Sequence, residues 1–311
     1  MMRIIFMGTP EFAVASLDAL LGAGFNVVAV VTAPDKPAGR GQKLSESAVK
    51  KYAAANNIPV LQPAKLKDPE FIEQLRSFNA DLQVVVAFRM LPEIVWNMPP
   101  KGTINLHASL LPDYRGAAPI NWAVINGEKQ TGATTFFLQH EIDTGNILFS
   151  ETVDIGENET AGEVHDKLMH TGAGLLVRTV KAIEKGDYKE TPQRELLKGV
   201  DTTDVKHAPK IFKEDCLINW DQPAVKIYNH IRGLSPYPAA YTLLNDKTLK
   251  IYRSSLLAEK PEPSPGVHES DGKTFLRFAC RDGFIDVKEL QLEGKKKMTT
   301  EEFLRGYRLQ D

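Results

Sequence analysis

The sequence predicts an α/β protein in two parts: a Rossmann-like open, mostly parallel sheet, followed by a small antiparallel β-barrel of OB-like kind. Three observations carry this expectation. Through residue 187, short apolar runs alternate with stretches of helical period; residues 188–206 are polar and interrupted by Pro192; from 207 onward, short strand-like runs are separated by Asn-Asp and Asp-Gly turns. The expected domains are therefore 1–187, a linker over 188–206, and 207–311. A chain of 311 residues suits this division, because single cores stop growing near about 250 residues.

Taken in order, Arg3 to Met7 is an apolar run that ends in Gly8-Thr9-Pro10, and Glu11 to Leu21 then carries apolar residues at helical spacing. That spells strand, turn, helix. Asn26 to Val31 reads as a second buried strand, Ser45 to Asn56 as a helix capped by Ser45, Pro69 to Phe78 as another helix, and Leu82 to Ala87 as a third strand. Gly102 to His107 follows as a strand, Ala117 to Ile125 as a helix, Gly132 to Gln139 and Ile147 to Val153 as strands, and Ala161 to Glu184 as a long helix. Past the linker, Ala224 to Leu234 is helical in period. Ala240 to Leu244, Lys250 to Leu257, Phe275 to Ala279 and Phe284 to Leu292 are strand-like.

Composition narrows the function classes. Hydrophobic residues at 42% and charged residues at 25% are ordinary for a globular chain, and the apolar runs are strand-sized, so no membrane span is expected. The two cysteines, Cys216 and Cys280, lie far apart without metal-binding spacing, which fits a reducing, cytoplasmic setting. A net charge of -2 gives no global field for a polyanion, although residues 207–311 hold 17 basic against 15 acidic side chains. A dinucleotide site is not expected either. The first turn, Gly8-Thr9-Pro10-Glu11-Phe12, lacks G-x-G-x-x-G, and Glu11 at the incoming helix would oppose a pyrophosphate. Walker A, G-x-S-x-G and H-E-x-x-H patterns are missing as well.

What stands out is Asn105-Leu106-His107 at the end of a strand. Residues two apart leave the same sheet face, so an amide donor and an imidazole can converge on one atom at the carboxyl edge of the sheet. The loop Ser109-Leu110-Leu111-Pro112 follows, with backbone groups that could meet a planar ring. Farther on, Asp143-Thr144-Gly145 puts a carboxylate in a turn between strands. Each feature has an ordinary structural use when read alone.

Together, Asn-x-His-x-Ser-Leu-Leu-Pro-x-x-Arg-Gly (residues 105–116) and the later Asp-Thr-Gly turn closely resemble the folate-dependent formyltransferase family. The resemblance runs nearly end to end, through Met7-Gly8-Thr9-Pro10-Glu11-Phe12, Gly39-Arg40-Gly41, Arg115-Gly116-Ala117-Ala118-Pro119, Ala208-Pro209-Lys210-Ile211 and Gly294-Lys295-Lys296-Lys297-Met298. It implies that Asn105, His107 and Asp143 form a catalytic trio and that 10-formyltetrahydrofolate is the co-substrate, with no metal. It implies methionyl-initiator tRNA as acceptor and a folate site at Phe88, Arg89, Met90 and Leu91 and at Ser109, Leu110, Leu111 and Pro112. Where the family shows Ala-Tyr-Gly, this chain has Ala87-Phe88-Arg89, and main-chain atoms of Arg89 to Leu91 are expected to hold the pterin. Arg40 in its Gly-rich loop, Lys206, Lys210 and Lys213, and Lys295, Lys296 and Lys297 are the cations expected to meet tRNA phosphates. A cytoplasmic monomer is expected. The competing acceptor is a sugar nucleotide; the competing class is a noncatalytic RNA-binding protein on a transferase scaffold.

Overall fold

A computed structural model describes residues 1–38, 43–199 and 204–308. In chain order its elements are β1 (Arg3–Gly8), α1 (Glu11–Gly22), β2 (Asn26–Val31), β3 (Lys36–Ala38), β4 (Lys43–Ser45), α2 (Ala48–Ala55), β5 (Val60–Leu61), α3 (Pro69–Ser77) and β6 (Leu82–Val86). Then come α4 (Glu93–Trp96), β7 (Thr103–His107), β8 (Arg115–Gly116), α5 (Pro119–Ile125), β9 (Gln130–Phe137), β10 (Ile147–Asp154), α6 (Ala161–Lys185) and α7 (Gln193–Leu196). The remainder holds β11 (His207–Ala208), α8 (Ala224–Leu234), β12 (Ala240–Leu244), β13 (Lys247–Leu257), β14 (His268–Ser270), β15 (Leu276–Ala279), β16 (Phe284–Leu292), β17 (Met298–Thr299) and α9 (Thr300–Gly306).

By internal packing the chain divides into two units. The first comprises Met1–Arg115, Gly132–Val153 and His165–Lys206. Its sheet has the order β10-β9-β7-β6-β1-β2-β5; β7-β6-β1-β2-β5 are parallel neighbours, and β9 runs antiparallel to β7. The central strands read as unbroken apolar runs because both faces are covered: every residue of β6 is buried, and Ile5, Met7, Val31, Val85, Phe71 and Leu75 share one core. Helix α3 starts where its residues require, with Asp68 accepting from the Glu70 N–H and Pro69 at the first helical position. The cap of α2 is Ser47, not Ser45. Ser45 pairs with Lys36 in the β3–β4 ribbon, and that pairing moves the cap two residues on.

The second unit comprises Gly116–Thr131, Asp154–Val164 and His207–Asp311. It is built on a curled antiparallel sheet of order β12-β13-β16-β15-β14, with β17 on β16, as the turn-separated strands predicted. Helix α8 lays Ile227, Ile231 and Leu234 onto Leu249, Ile251, Phe278 and Ile285, and Trp220 stacks on Phe278 at 4.6 Å. Specific polar contacts fix the two early segments here. Asn121 donates to Gly233 O at 2.8 Å, Arg232 donates to Glu159 O at 2.9 Å, and Arg253 pairs with Glu163 at 2.7 Å. Helix α9 is an element the periodicity reading omits, yet Thr299-Thr300-Glu301-Glu302 spells a capping box, and Thr299 and Glu302 do cap each other reciprocally. Among the described residues no helix is long and apolar enough to cross a membrane.

Candidate active site

The site lies in the first unit, at the carboxyl end of β7. Asn105 pairs with Val85 on one side and Phe136 on the other, and His107 sits beside Thr134. The alternation of the strand turns both side chains to the same face. His107 is buried, and its Nε2 donates to Tyr114 O at 2.9 Å. A carbonyl can only accept, so Nε2 carries the proton. The other ring nitrogen, Nδ1, faces Asp143 Oδ2 at 4.0 Å, with only 9% and 11% of the two side chains exposed. That gap is an ion-pair distance rather than a hydrogen bond.

Asp143 reaches this position on a tightly specified turn. It has φ +55°, a left-handed conformation that Asp tolerates better than most residues. Thr144 Oγ1 donates to Glu141 O at 3.1 Å, and the Phe137 N–H donates to Asn146 O at 3.1 Å. At Gly145, a Cβ would stand 1.6 Å from Phe137 O, so the turn approaches β9 more closely than any other residue allows.

The stretch predicted as a linker supplies the rest of the support. Thr191 and Ile147 exchange backbone hydrogen bonds of 2.8 Å, and Gln193, 2% exposed, lies behind the turn. Its Nε2 donates to Asp143 O at 2.8 Å and to Gly145 O at 2.9 Å; its Oε1 accepts from Arg115 Nε at 3.1 Å and Nη2 at 2.6 Å. Burial lowers the Arg115 pKa, and the charges of Asp143 and Glu141 oppose that shift. Neither Arg115 nor Gln193 is singled out by the sequence as a site residue. Arg115 is visible there only as part of a motif, and no local pattern marks a glutamine that closes a contact 50 residues away.

The expected folate residues fall at two places in this unit. Phe88 is half-buried under the Arg89 guanidinium, whose carbon is 5.6 Å from the ring centre; Arg89 also donates to Ala64 O at 3.0 Å and to Pro63 O. Met90 is 73% exposed and Leu91 buried; with Arg89 they line a 650 Å³ cleft that Leu66, Lys67 and Glu93 also border. The Ser109–Pro112 loop is less available than its sequence suggests. Ser109 is fully buried and donates to Asp113 O at 2.7 Å, while Thr134 Oγ1 donates to Ser109 O at 2.7 Å and accepts from Leu111 N at 3.2 Å. Part of its backbone is therefore already hydrogen-bonded within the protein, whereas the sequence left all of it open to a ring.

Of the expected phosphate contacts, Arg40 lies outside the described residues. Lys206, in the first unit, is exposed, and its backbone N–H donates to Asp113 Oδ1 at 3.0 Å. In the second unit Lys210, Lys213, Lys295, Lys296 and Lys297 are all exposed. Lys210 covers the Phe212 ring at 5.2 Å, and Lys297 pairs with Glu289 at 2.6 Å.

Comparison with known proteins gives the same outline. Residues 2–180 match the formyl transferase family, and residues 210–308 match the formyl transferase C-terminal domain. The methionyl-tRNA formyltransferase of Bacteroides fragilis is 55% identical over 99% of this chain and 96% of its own length. That of Flavobacterium johnsoniae is 51% identical over 100% of this chain and 98% of its own. Among solved structures, the sugar 3N-formyl transferase WlaRD superposes with a TM-score of 0.66 at 21% identity, over 95% of this chain and 99% of that one. HypX from Aquifex aeolicus, in complex with tetrahydrofolic acid, superposes at 0.63 and 18%, over 98% and 48%.

The close approach at Gly145 makes a direct prediction. Gly145→Ala should cost about 1–3 kcal/mol of stability, the scale of overpacking a tight site. Denaturant unfolding measures it, and an unchanged midpoint would show the turn to be looser than its geometry.

Proposed function

Since the chain belongs to the formyl transferase family through both its N-terminal and C-terminal parts, we propose that it transfers the formyl group of 10-formyltetrahydrofolate to the amino group of methionyl-tRNA. The acceptor assignment is carried by the identity of 51–55%, over essentially whole chains, to proteins named for that acceptor. The sugar transferases, at 21%, share the fold.

The chemistry follows from the site. The methionyl amine attacks the formyl carbon, and the carbonyl oxygen becomes an oxyanion that must be met by hydrogen-bond donors already in place. Asn105 offers its side-chain amide. His107 offers Nδ1–H as an imidazolium, because its Nε2–H is engaged by Tyr114 O. Asp143, 4.0 Å from Nδ1, balances that charge and takes the amine proton, directly or through a water. The C–N10 bond then breaks as the proton is returned to N10, giving formylmethionyl-tRNA and tetrahydrofolate. Donors and a proton carrier suffice for this transfer, and no step is assigned to a metal. The pterin is assigned to the cleft at Phe88–Leu91 and the Ser109–Pro112 loop, with Arg89, Met90 and Leu91 holding it largely through their backbone.

The same reading gives residues 1–187 the catalytic role, 188–206 that of a linker and 207–311 that of contacting tRNA, in a cytoplasmic monomer. Arg40, Lys206, Lys210, Lys213, Lys295, Lys296 and Lys297 supply the cations for the acceptor.

The deciding experiment supplies labelled 10-formyltetrahydrofolate with methionyl-tRNA, glycinamide ribonucleotide or an amino-sugar nucleotide. Methionyl-tRNA should be formylated at least about 100-fold more efficiently than the others, as expected when only one acceptor fits the reacting geometry. Preference for the amino-sugar nucleotide would move the assignment to sugar formylation, and inactivity on all three would favour a noncatalytic RNA-binding role. Asn105→Ala, His107→Ala and Asp143→Ala should each slow single-turnover transfer by at least about 100-fold while the protein stays folded. A near-normal rate in any one removes that residue from the mechanism. For the lysines, the salt dependence of tRNA binding is the readout: removing a cation that meets a phosphate should flatten the log–log slope by roughly one. Lys295→Ala and Lys296→Ala should do so more than Lys297→Ala, whose ammonium is already paired with Glu289. Slopes identical to the parent chain would move the tRNA contacts elsewhere.

A further inference from the structure

Gln193 uses its whole hydrogen-bonding capacity at one spot. A glutamine amide has two N–H donors and a carbonyl with two lone pairs. Here both donors go to the carbonyls of Asp143 and Gly145, and both lone pairs go to the Arg115 guanidinium. The orientation is forced, since carbonyls only accept and a guanidinium only donates. The side chain is 2% exposed, so water is a poor substitute for any of the four partners.

Two features make this more than a buried amide. The backbone it grips belongs to Asp143, held at φ +55°, whose carboxylate stands 4.0 Å from the His107 ring. The guanidinium it holds feels the charge of that same carboxylate. Arg prefers to pair through its planar fork with a carboxylate whenever geometry allows, in a bond stronger than one to an amide. With its Nε and Nη2 edge engaged by Gln193 Oε1, Arg115 lacks that edge for Asp143.

We propose that Gln193 is a positioning residue for formyl transfer: its amide pins the Asp143–Gly145 turn, and its carbonyl retains Arg115, so that the Asp143 carboxylate is presented to His107 rather than captured by the guanidinium. The proposal rests on the formyl-transfer reading for its kinetic consequence only; the geometric consequence is independent of the acceptor.

The test combines kinetics with crystallography on the full chain. Gln193→Ala should lower kcat for methionyl-tRNA formylation by about 10–100-fold, the scale of a misplacement near 1 Å, with KM for both substrates within about threefold. Gln193→Met, which keeps the packing volume without the hydrogen bonds, should behave alike and serves if the alanine variant is unstable. Adding Arg115→Gln to either variant should restore at least about threefold of the loss, because the competing cation is gone. A merely structural glutamine predicts no such recovery. Crystal structures of the parent and of the folded variant should show the carboxylate turned from His107 toward Arg115. An unchanged His107–Asp143 separation, or a wild-type kcat, or a loss that Arg115→Gln leaves in place, overturns the proposal. A parent enzyme inactive on methionyl-tRNA would defeat the functional reading, and the crystallographic comparison would still decide the role of Gln193.

Discussion

The site depends on a backbone contact that only glycine allows. Were Gly145 any other residue, its Cβ would sit 1.6 Å from Phe137 O, and the turn carrying Asp143 would have to withdraw from β9. Withdrawal would disturb the 4.0 Å placement of the Asp143 carboxylate against His107. The left-handed φ at Asp143 adds local strain, and such strain persists only where the surroundings over-determine it. Gln193 from one side and β9 from the other supply that determination.

The elements around this contact divide the work by what each can hold. Strand β7, between β6 and β9, fixes Asn105 and His107 through pairing with both neighbouring strands. The Asp143 turn is ordered by specific hydrogen bonds, among them those from Gln193, which opens α7 just after Thr191 bridges to Ile147. In the proposed mechanism the two donors belong to the strand, and the carboxylate assigned to take the proton belongs to the braced turn. Such a division suits a reaction in which the oxyanion position is fixed while a proton changes carriers.

Much of the fold is legible in the sequence because period and turn chemistry are local. Asn26–Val31, Ala224–Leu234, Ala240–Leu244 and Phe284–Leu292 fall where their patterns place them. Ser45 is taken by a strand pairing that helical period does not reveal, and α9 announces itself through its cap rather than through its apolar face. In the site, Asn105 and His107 are readable as a pair because two residues on a strand share a face. That Asp143 joins them is carried by resemblance to a family and by no spacing rule. Gln193 and Arg115 are not readable as site residues at all: their pairing spans 78 positions, and a polar linker gives no sign that one of its side chains will be buried. Short-range rules predict elements, and contacts made after the elements assemble lie beyond them.

The most direct measurement is a crystal structure with 5-formyltetrahydrofolate, a stable analogue of the formyl donor. Its pterin should occupy the cleft beside Arg89 to Leu91, and its formyl-bearing edge should lie at the end of β7, within about 4 Å of Asn105 Nδ2 or His107 Nδ1, the range in which a donor can reach the developing oxyanion. Folate bound with that edge turned away from His107 and Asp143, or bound at another place in the protein, would contradict the assignment of formyl transfer to this site.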